Sequence, residues 1–123
     1  MRVVTGGDRS STYGGLFTGR VALEMLHATE SDDEPDTAHV HFSDGAVTNW
    51  HSHPGGQLIY VAAGRGRVGT DADGAVMLEP GTLVVAPPNE RHWHGAAPGG
   101  DCTLLCVTWG TTCWTDEAPD LGD

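Results

Sequence analysis

Short apolar runs recur along this chain at regular intervals, and a turn signal separates each from the next. Val21–Leu26, Ala38–Phe42, Val47–His53, Gln57–Ala62, Arg65–Thr70, Ala75–Leu78, Thr82–Ala86, Arg91–Gly95 and Thr103–Trp109 read as strands. Between them lie Ser43-Asp44-Gly45, Pro54-Gly55-Gly56, Asp71-Ala72-Asp73-Gly74, Glu79-Pro80-Gly81, Pro87-Pro88-Asn89 and Pro98-Gly99-Gly100, all built from residues that favour turns. The Asp71–Gly74 turn joins two runs as a hairpin. Many short strands at even spacing predict an all-β domain, a closed antiparallel barrel or jelly roll. With 18 Gly and 7 Pro in 123 residues, few long helices are expected. That length suits one domain. Residues 1–16, polar and Gly/Ser-rich near their end, are expected as a loose arm or edge segment, residues 17–114 as the barrel, and residues 115–123 as an acidic tail.

Charge narrows the function. The formal net charge is −11, which disfavours nucleic acid and anionic membrane surfaces as partners. Acidic residues concentrate between Glu30 and Asp36 and after Thr115, and solvated loop and terminus are the plain reading of both runs. The chain contains no Lys, which removes Schiff-base chemistry and lysine-anchored phosphate binding. No apolar run approaches the roughly 20 residues of a membrane span, and no signal segment opens the sequence, so a cytoplasmic protein is expected. Cys102, Cys106 and Cys113 are odd in number and lack zinc-finger spacing. Cys102 and Cys106, an even number of positions apart, are expected on one strand face as buried small hydrophobes rather than as redox groups or ligands.

The chemistry gathers around histidine. His51/His53 and His92/His94 form two His-x-His pairs, and residues i and i+2 of a strand face the same way. Each pair can therefore aim two imidazoles at one point. Gln57 begins the following strand, with Ile59 and Val61 on its face, and can bring an amide oxygen to the same place. Imidazoles with an oxygen donor suit Mn, Fe, Co, Ni, Cu or Zn without selecting among them.

These spacings resemble a known family. Gly45-x5-His51-x-His53-x3-Gln57-x6-Gly64 is similar to the first motif of the cupins, with Gln where most members carry Glu. Gly81-x5-Pro87-x-Asn89-x2-His92 is similar to the second, with Asn89 in place of the usual Gly. Asn tolerates the left-handed backbone that a Gly there implies. The resemblance implies a cupin jelly-roll barrel and carries the metal ligands over to His51, His53, Gln57 and His92. Phe17-Thr18-Gly19, His51-Ser52-His53-Pro54-Gly55-Gly56-Gln57 and His92-Trp93-His94-Gly95-Ala96-Ala97-Pro98 further resemble the small manganese-dependent hydroxynitrile lyases and the carboxymuconolactone decarboxylase-like cupins. The narrower resemblance implies one divalent metal, Mn first and otherwise Fe, Zn, Ni, Co or Cu, a small-molecule substrate and lyase chemistry. It also implies a homodimer, since cupins pair through exchanged strands or sheet edges.

Gln in place of Glu leaves the 2+ charge of such an ion uncompensated by protein. The ion is then a stronger Lewis acid and favours anionic ligands, while support for redox cycling weakens. A dioxygenase and a non-catalytic ligand-binding barrel remain the rival readings. His94, two positions beyond His92, is a candidate general base or proton shuttle, or else a residue that orients its neighbours by hydrogen bonding. His39 and His41 are expected as cavity wall or surface, His27 as structural, and Trp50, Trp93, Trp109, Tyr60 and Phe17 as packing or pocket rim. Arg65, Arg67 and Arg91 are expected to face solvent.

Overall fold

The computed structural model describes residues 1–9, 17–31 and 33–122. Among these described residues the strands run β1 (Phe17–His27), β2 (Asp36–Thr48), β3 (His51–Ser52), β4 (Gln57–Gly64), β5 (Gly66–Thr70), β6 (Gly74–Leu78), β7 (Leu83–Ala86), β8 (His92–Ala96), β9 (Cys102–Thr108) and β10 (Cys113–Trp114). Among the described residues there is no helix. All pairings are antiparallel. One layer reads β1-β2-β9-β4-β7 and the other β6-β5-β8-β3-β10. They join where the end of β2 pairs with β8, Val47 opposite Gly95. The all-β jelly roll expected from the turn spacing is the fold observed.

Ser43-Asp44-Gly45 is not a chain reversal. β2 continues through it, with Asp44 at φ 51° and Gly45 at φ 74°. Thr18 faces Val47 while Arg20 faces Ser43, so extra residues bulge out of β2 at this point. The two left-handed residues bend the strand instead of ending it. Its first half can then lie beside β9 and its second half reach β8. The expected strand Val47–His53 is likewise broken. Trp50 turns its backbone toward the C-terminal segment, its N–H donating to Glu117 O at 2.9 Å and its C=O accepting from Thr115 N–H at 3.1 Å. That leaves β3 only two residues long, with β10, not anticipated from the sequence, paired against it.

Strand alternation sorts the side chains as a one-sided antiparallel layer should. Ala38, Val40 and Phe42 of β2, Ile59 and Val61 of β4, and Cys102, Leu104 and Cys106 of β9 point inward with Val21 and Leu23 of β1. Phe42, Ile59, Val61 and Leu104 are at most 1% exposed. Burial of each such side chain contributes roughly 1.5–3 kcal/mol. Cys102 and Cys106 are buried free thiols, and burial raises them to about 11 and about 12, so they stay protonated. Arg67 departs from expectation. It is 4% exposed, and its guanidinium donates to Ala96 O at 2.7 Å and Gly45 O at 3.0 Å beside the Trp93 ring. These bonds tie the bulge to the end of β8. Arg65 and Arg91 do lie at the surface, paired with Glu79 and with Glu117 and Asp71.

His39 and His41 sit on the outer face of β2 and converge on Glu24 of β1, at 3.4 and 3.0 Å. The N-terminal segment covers this carboxylate: Gly7 N–H donates to it at 3.0 Å and Arg9 approaches to 3.5 Å. The His41 and Gly7 hydrogen bonds hold the Glu24 carboxyl at about 2, below the usual range. Of the expected arm, residues 10–16 lie outside the described residues.

Candidate metal centre

β3 and β8 are adjacent, and His51 stands directly opposite His92. His53 follows β3 and enters from the Pro54–Gly56 corner. That corner is fixed by its own backbone: His53 O accepts from Gly56 N–H at 3.1 Å and from Asn89 N–H at 2.8 Å. Asn89 holds φ 68°, the left-handed value its place in the second motif requires. Gly55 admits no side chain, since a Cβ there would lie 2.5 Å from Trp109 Cβ. The corner can therefore press against the loop after β9.

One donor nitrogen from each of His51, His53 and His92 lies within 4.8 Å of the others, and all three rings are buried. Each ring is oriented from behind through Nδ1. His51 Nδ1–H donates to Asn49 O at 2.8 Å, and His92 Nδ1–H donates to Glu90 O at 3.1 Å. His53 Nδ1 meets Thr112 Oγ1 at 3.0 Å. In His51 and His92, whose partners are carbonyl oxygens, Nδ1 carries the proton and Nε2 the lone pair. His51 Nε2 and His53 Nε2 are buried with no hydrogen-bond partner among the described residues.

Gln57 completes the arrangement. Its Nε2–H donates to Thr108 Oγ1 at 2.8 Å, which turns Oε1 toward the histidines, 3.1 Å from His92 Nε2. Both facing atoms are acceptors when the one N–H of neutral His92 is the Nδ1–H donated to Glu90 O, and two acceptors at hydrogen-bond distance repel. A cation beside them removes the conflict and also satisfies the two orphaned Nε2 atoms. Buried orphans of this kind cost about 1–3 kcal/mol each. The residues present therefore fit a divalent metal: three imidazole nitrogens and an amide oxygen around one point. Burial, reinforced by His92, holds His51 at about 3. Burial, and after it the neighbouring His92, likewise holds His53 at about 4. His92 is lowered too, mainly by burial. The cluster is uncharged at neutral pH, as metal binding needs.

His94 sits beside this cluster without belonging to it. Its ring centroid lies 5.1 Å from that of His51 and 5.7 Å from that of His92, with the Phe42 ring edge-on at 5.9 Å. Its backbone N–H donates to Thr48 Oγ1 at 3.1 Å, while its Nδ1 is buried and unpartnered among the described residues. Complete burial, and then the neighbouring imidazoles, push it well below 6.5, so it is neutral.

A chamber of about 50 Å³ opens on these groups, lined by His51, His53, Gln57 and His94 together with Phe17, Met25, Val40, Cys106, Thr112 and Trp114, among others. Trp114 tilts over His51 with centroids 4.4 Å apart, and Phe17 packs on Trp114 at 5.7 Å. Phe17 thus lines the pocket, whereas Trp50 and Trp109 do not. Several lining residues escaped the sequence reading. Trp114 and Thr112 follow an irregular loop that carries no periodic signal. Asp36, Ala38, Val40 and Cys106 read as ordinary strand residues, although their shared inward parity was available.

The comparisons agree with this geometry. Residues 38–108 match the Cupin domain family, and so span both motifs. The chain is 38% identical over 91 residues, 74% of its own length and 70% of the relative's, to a protein from Granulicella tundricola named (R)-mandelonitrile lyase. A crystal structure of a cupin-like protein from Thermotoga maritima superposes with TM-score 0.82 at 33% identity, covering 98% of this chain and 92% of that one. The polyketide cyclase RemF from Streptomyces resistomycificus shares the fold at TM-score 0.71 and 19% identity, covering 94% and 84%. With both motifs matched and a jelly roll around three converging histidines, the chain belongs to the cupin family.

Proposed function

We propose that the chain is a metal-dependent lyase of the hydroxynitrile-cleaving type, with one divalent ion, manganese first, held by His51, His53, Gln57 and His92. The observation that carries this reading is the pair of facing acceptors, His92 Nε2 and Gln57 Oε1 at 3.1 Å, beside two orphaned imidazole nitrogens. A bound ion there supplies Lewis acidity toward a hydroxyl or carbonyl oxygen, undiminished by any ligand carboxylate.

The chain's own groups do the rest. His94, neutral and with no partner at Nδ1 among the described residues, accepts a proton from the substrate hydroxyl as the carbon–carbon bond to the nitrile breaks, and then hands it to the departing cyanide. The apolar walls Val40, Phe17 and Trp114 keep water from the proton in transit. The 38% identity to a protein named (R)-mandelonitrile lyase supports this chemistry over other cupin reactions. The test is release of benzaldehyde from mandelonitrile by the manganese-loaded protein. Release above the spontaneous rate is expected, and none from protein carrying a full equivalent of metal overturns the lyase reading.

The homodimer belongs to this proposal as well. Tyr60, Leu83 and Val85 are 42%, 53% and 67% exposed on the outer face of β4 and β7, where Tyr60 faces Leu83. A second copy laid on this face covers apolar surface that an antiparallel sheet normally leaves polar. Light scattering at micromolar concentration distinguishes a dimer from a monomer of 12.9 kDa. Among the described residues no helix is long and apolar enough to cross a membrane.

A further inference from the structure

The chamber is small and has a larger neighbour. A second cavity of about 430 Å³, lined by Thr29, Glu30, Ser31, Gly110 and Thr111, lies outside it, and Met25, Asp36, Thr112 and Trp114 line both. These four residues form the neck. The inner space takes a group of a few heavy atoms, so the body of a larger substrate must rest at the neck and in the outer cavity.

The neck carries a single charged side chain among the described residues, the Asp36 carboxylate, and Glu30 follows in the outer cavity. No cation offsets them. The sequence has no Lys, and none of its six arginines lines either cavity. Asp36 is placed by strand register. It shares the inward parity of Ala38 and Val40, and it stands opposite Thr108, the residue that orients Gln57 from the next strand. Oδ1 accepts from Thr29 N–H at 2.7 Å, and Oδ2 has no partner among the described residues. The carboxylate is thus fixed at the passage to a chamber whose His94 Nδ1, His51 Nε2 and His53 Nε2 are buried and without a hydrogen-bond partner among the described residues.

We propose that Asp36 is a specificity-determining residue, a charge filter that admits compounds with an uncharged or cationic body and rejects those carrying a carboxylate at the neck. The substrate class is then a hydroxy or carbonyl compound with a neutral or cationic body rather than a hydroxy acid or keto acid. The inference rests on the lyase reading only for which end of the substrate enters the chamber. Asp36 is a short-range electrostatic element, and its effect falls with salt as exposed charge pairs do.

The test uses two probes of one shape, 4-(hydroxymethyl)benzamide and 4-(hydroxymethyl)benzoate, titrated calorimetrically into the full chain with and without one equivalent of manganese. Metal content is measured on the same samples. The wild type is expected to bind the amide about tenfold more tightly than the carboxylate, the size of one like-charge contact near a wet surface. Asp36→Asn, which keeps an acceptor for Thr29, is expected to bring the ratio close to one. In the wild type, 0.5 M salt is expected to shrink the ratio without any mutation. A ratio unaffected by both the substitution and salt overturns the filter while leaving the metal site standing. Failure of the wild type to bind even the amide at millimolar concentration also overturns it. Failure to take up metal counts against the lyase reading alone, because the ratio is still read on the metal-free chain.

Discussion

His92 Nε2 lies 3.1 Å from Gln57 Oε1, and each residue has already spent its donor elsewhere, His92 on Glu90 O and Gln57 on Thr108 Oγ1. The contact is therefore between two lone pairs. A cation held there would relieve the repulsion, and on the proposed reading the amide's lack of charge sets the acidity of that ion. Gln57→Glu is predicted to raise manganese affinity at least tenfold, because a carboxylate adds a full charge to the ligand set. The same change is predicted to lower the rate of mandelonitrile cleavage by weakening the ion as a Lewis acid. Chelator competition and benzaldehyde release measure the two effects, which should run in opposite directions.

Thr112 acts from behind the cluster. Its hydroxyl meets His53 Nδ1 at 3.0 Å and fixes which nitrogen faces inward. Thr112→Val is predicted to weaken metal binding about 10- to 100-fold while leaving the fold intact, and Thr112→Ser to restore most of it. Manganese titration with circular dichroism in parallel separates lost affinity from lost structure.

His94 is predicted to affect turnover and not metal content. His94→Ala should keep about one equivalent of manganese and lose roughly 100- to 10,000-fold in rate, the contribution of a positioned general base. Full turnover in this variant would leave His94 an orienting residue only.

Acid sensitivity follows from the sign of the shifts. The folded values of His51 and His53, about 3 and about 4, lie below the ordinary 6.5. In the unfolded chain these imidazoles protonate as pH falls through 6.5, whereas in the folded metal-free chain they stay neutral until far lower. Their contribution is complete above 6.5 and is lost as pH falls from there toward 3–4, with a slope approaching about 1.4 kcal/mol per group per pH unit. Glu24, lowered from 4.5 to about 2, adds a second loss between those values, where its hold on the N-terminal segment goes. Urea denaturation of chelator-treated protein from pH 8 to 5 should show stability falling, with His51→Asn/His53→Asn flattening the curve.

Much of the barrel was legible because it depends on local signals. Turn residues marked the strand ends, and i, i+2 parity put Gln57 with Ile59 and Val61 and aimed His51 and His53 together. Parity cannot anticipate pairing at a distance. The Ser43–Gly45 turn became a bulge because β2 had to reach both β9 and β8, and the carbonyls waiting for Arg67 belong to Gly45 and Ala96, far from it in sequence. The second layer of the centre stayed hidden for the same reason. Thr112, Trp114 and Asp36 come to line the chamber only after β10 pairs with β3 and Asp36 aligns with Thr108. The Glu24–His39–His41 group shows the converse. Its histidines repeat the His-x-His spacing of the metal motif but stand on the opposite face of their strand from the chamber, and the spacing alone does not say which face is inside.

Elemental analysis of the purified chain beside a His51→Ala/His92→Ala variant bears most directly on the metal centre. About one equivalent of a divalent transition metal, manganese foremost, is expected in the first and essentially none in the second after both are offered the metal and desalted. Equal metal in both proteins, or none in either, would mean that the buried nitrogens and the Gln57 oxygen do not form the site described.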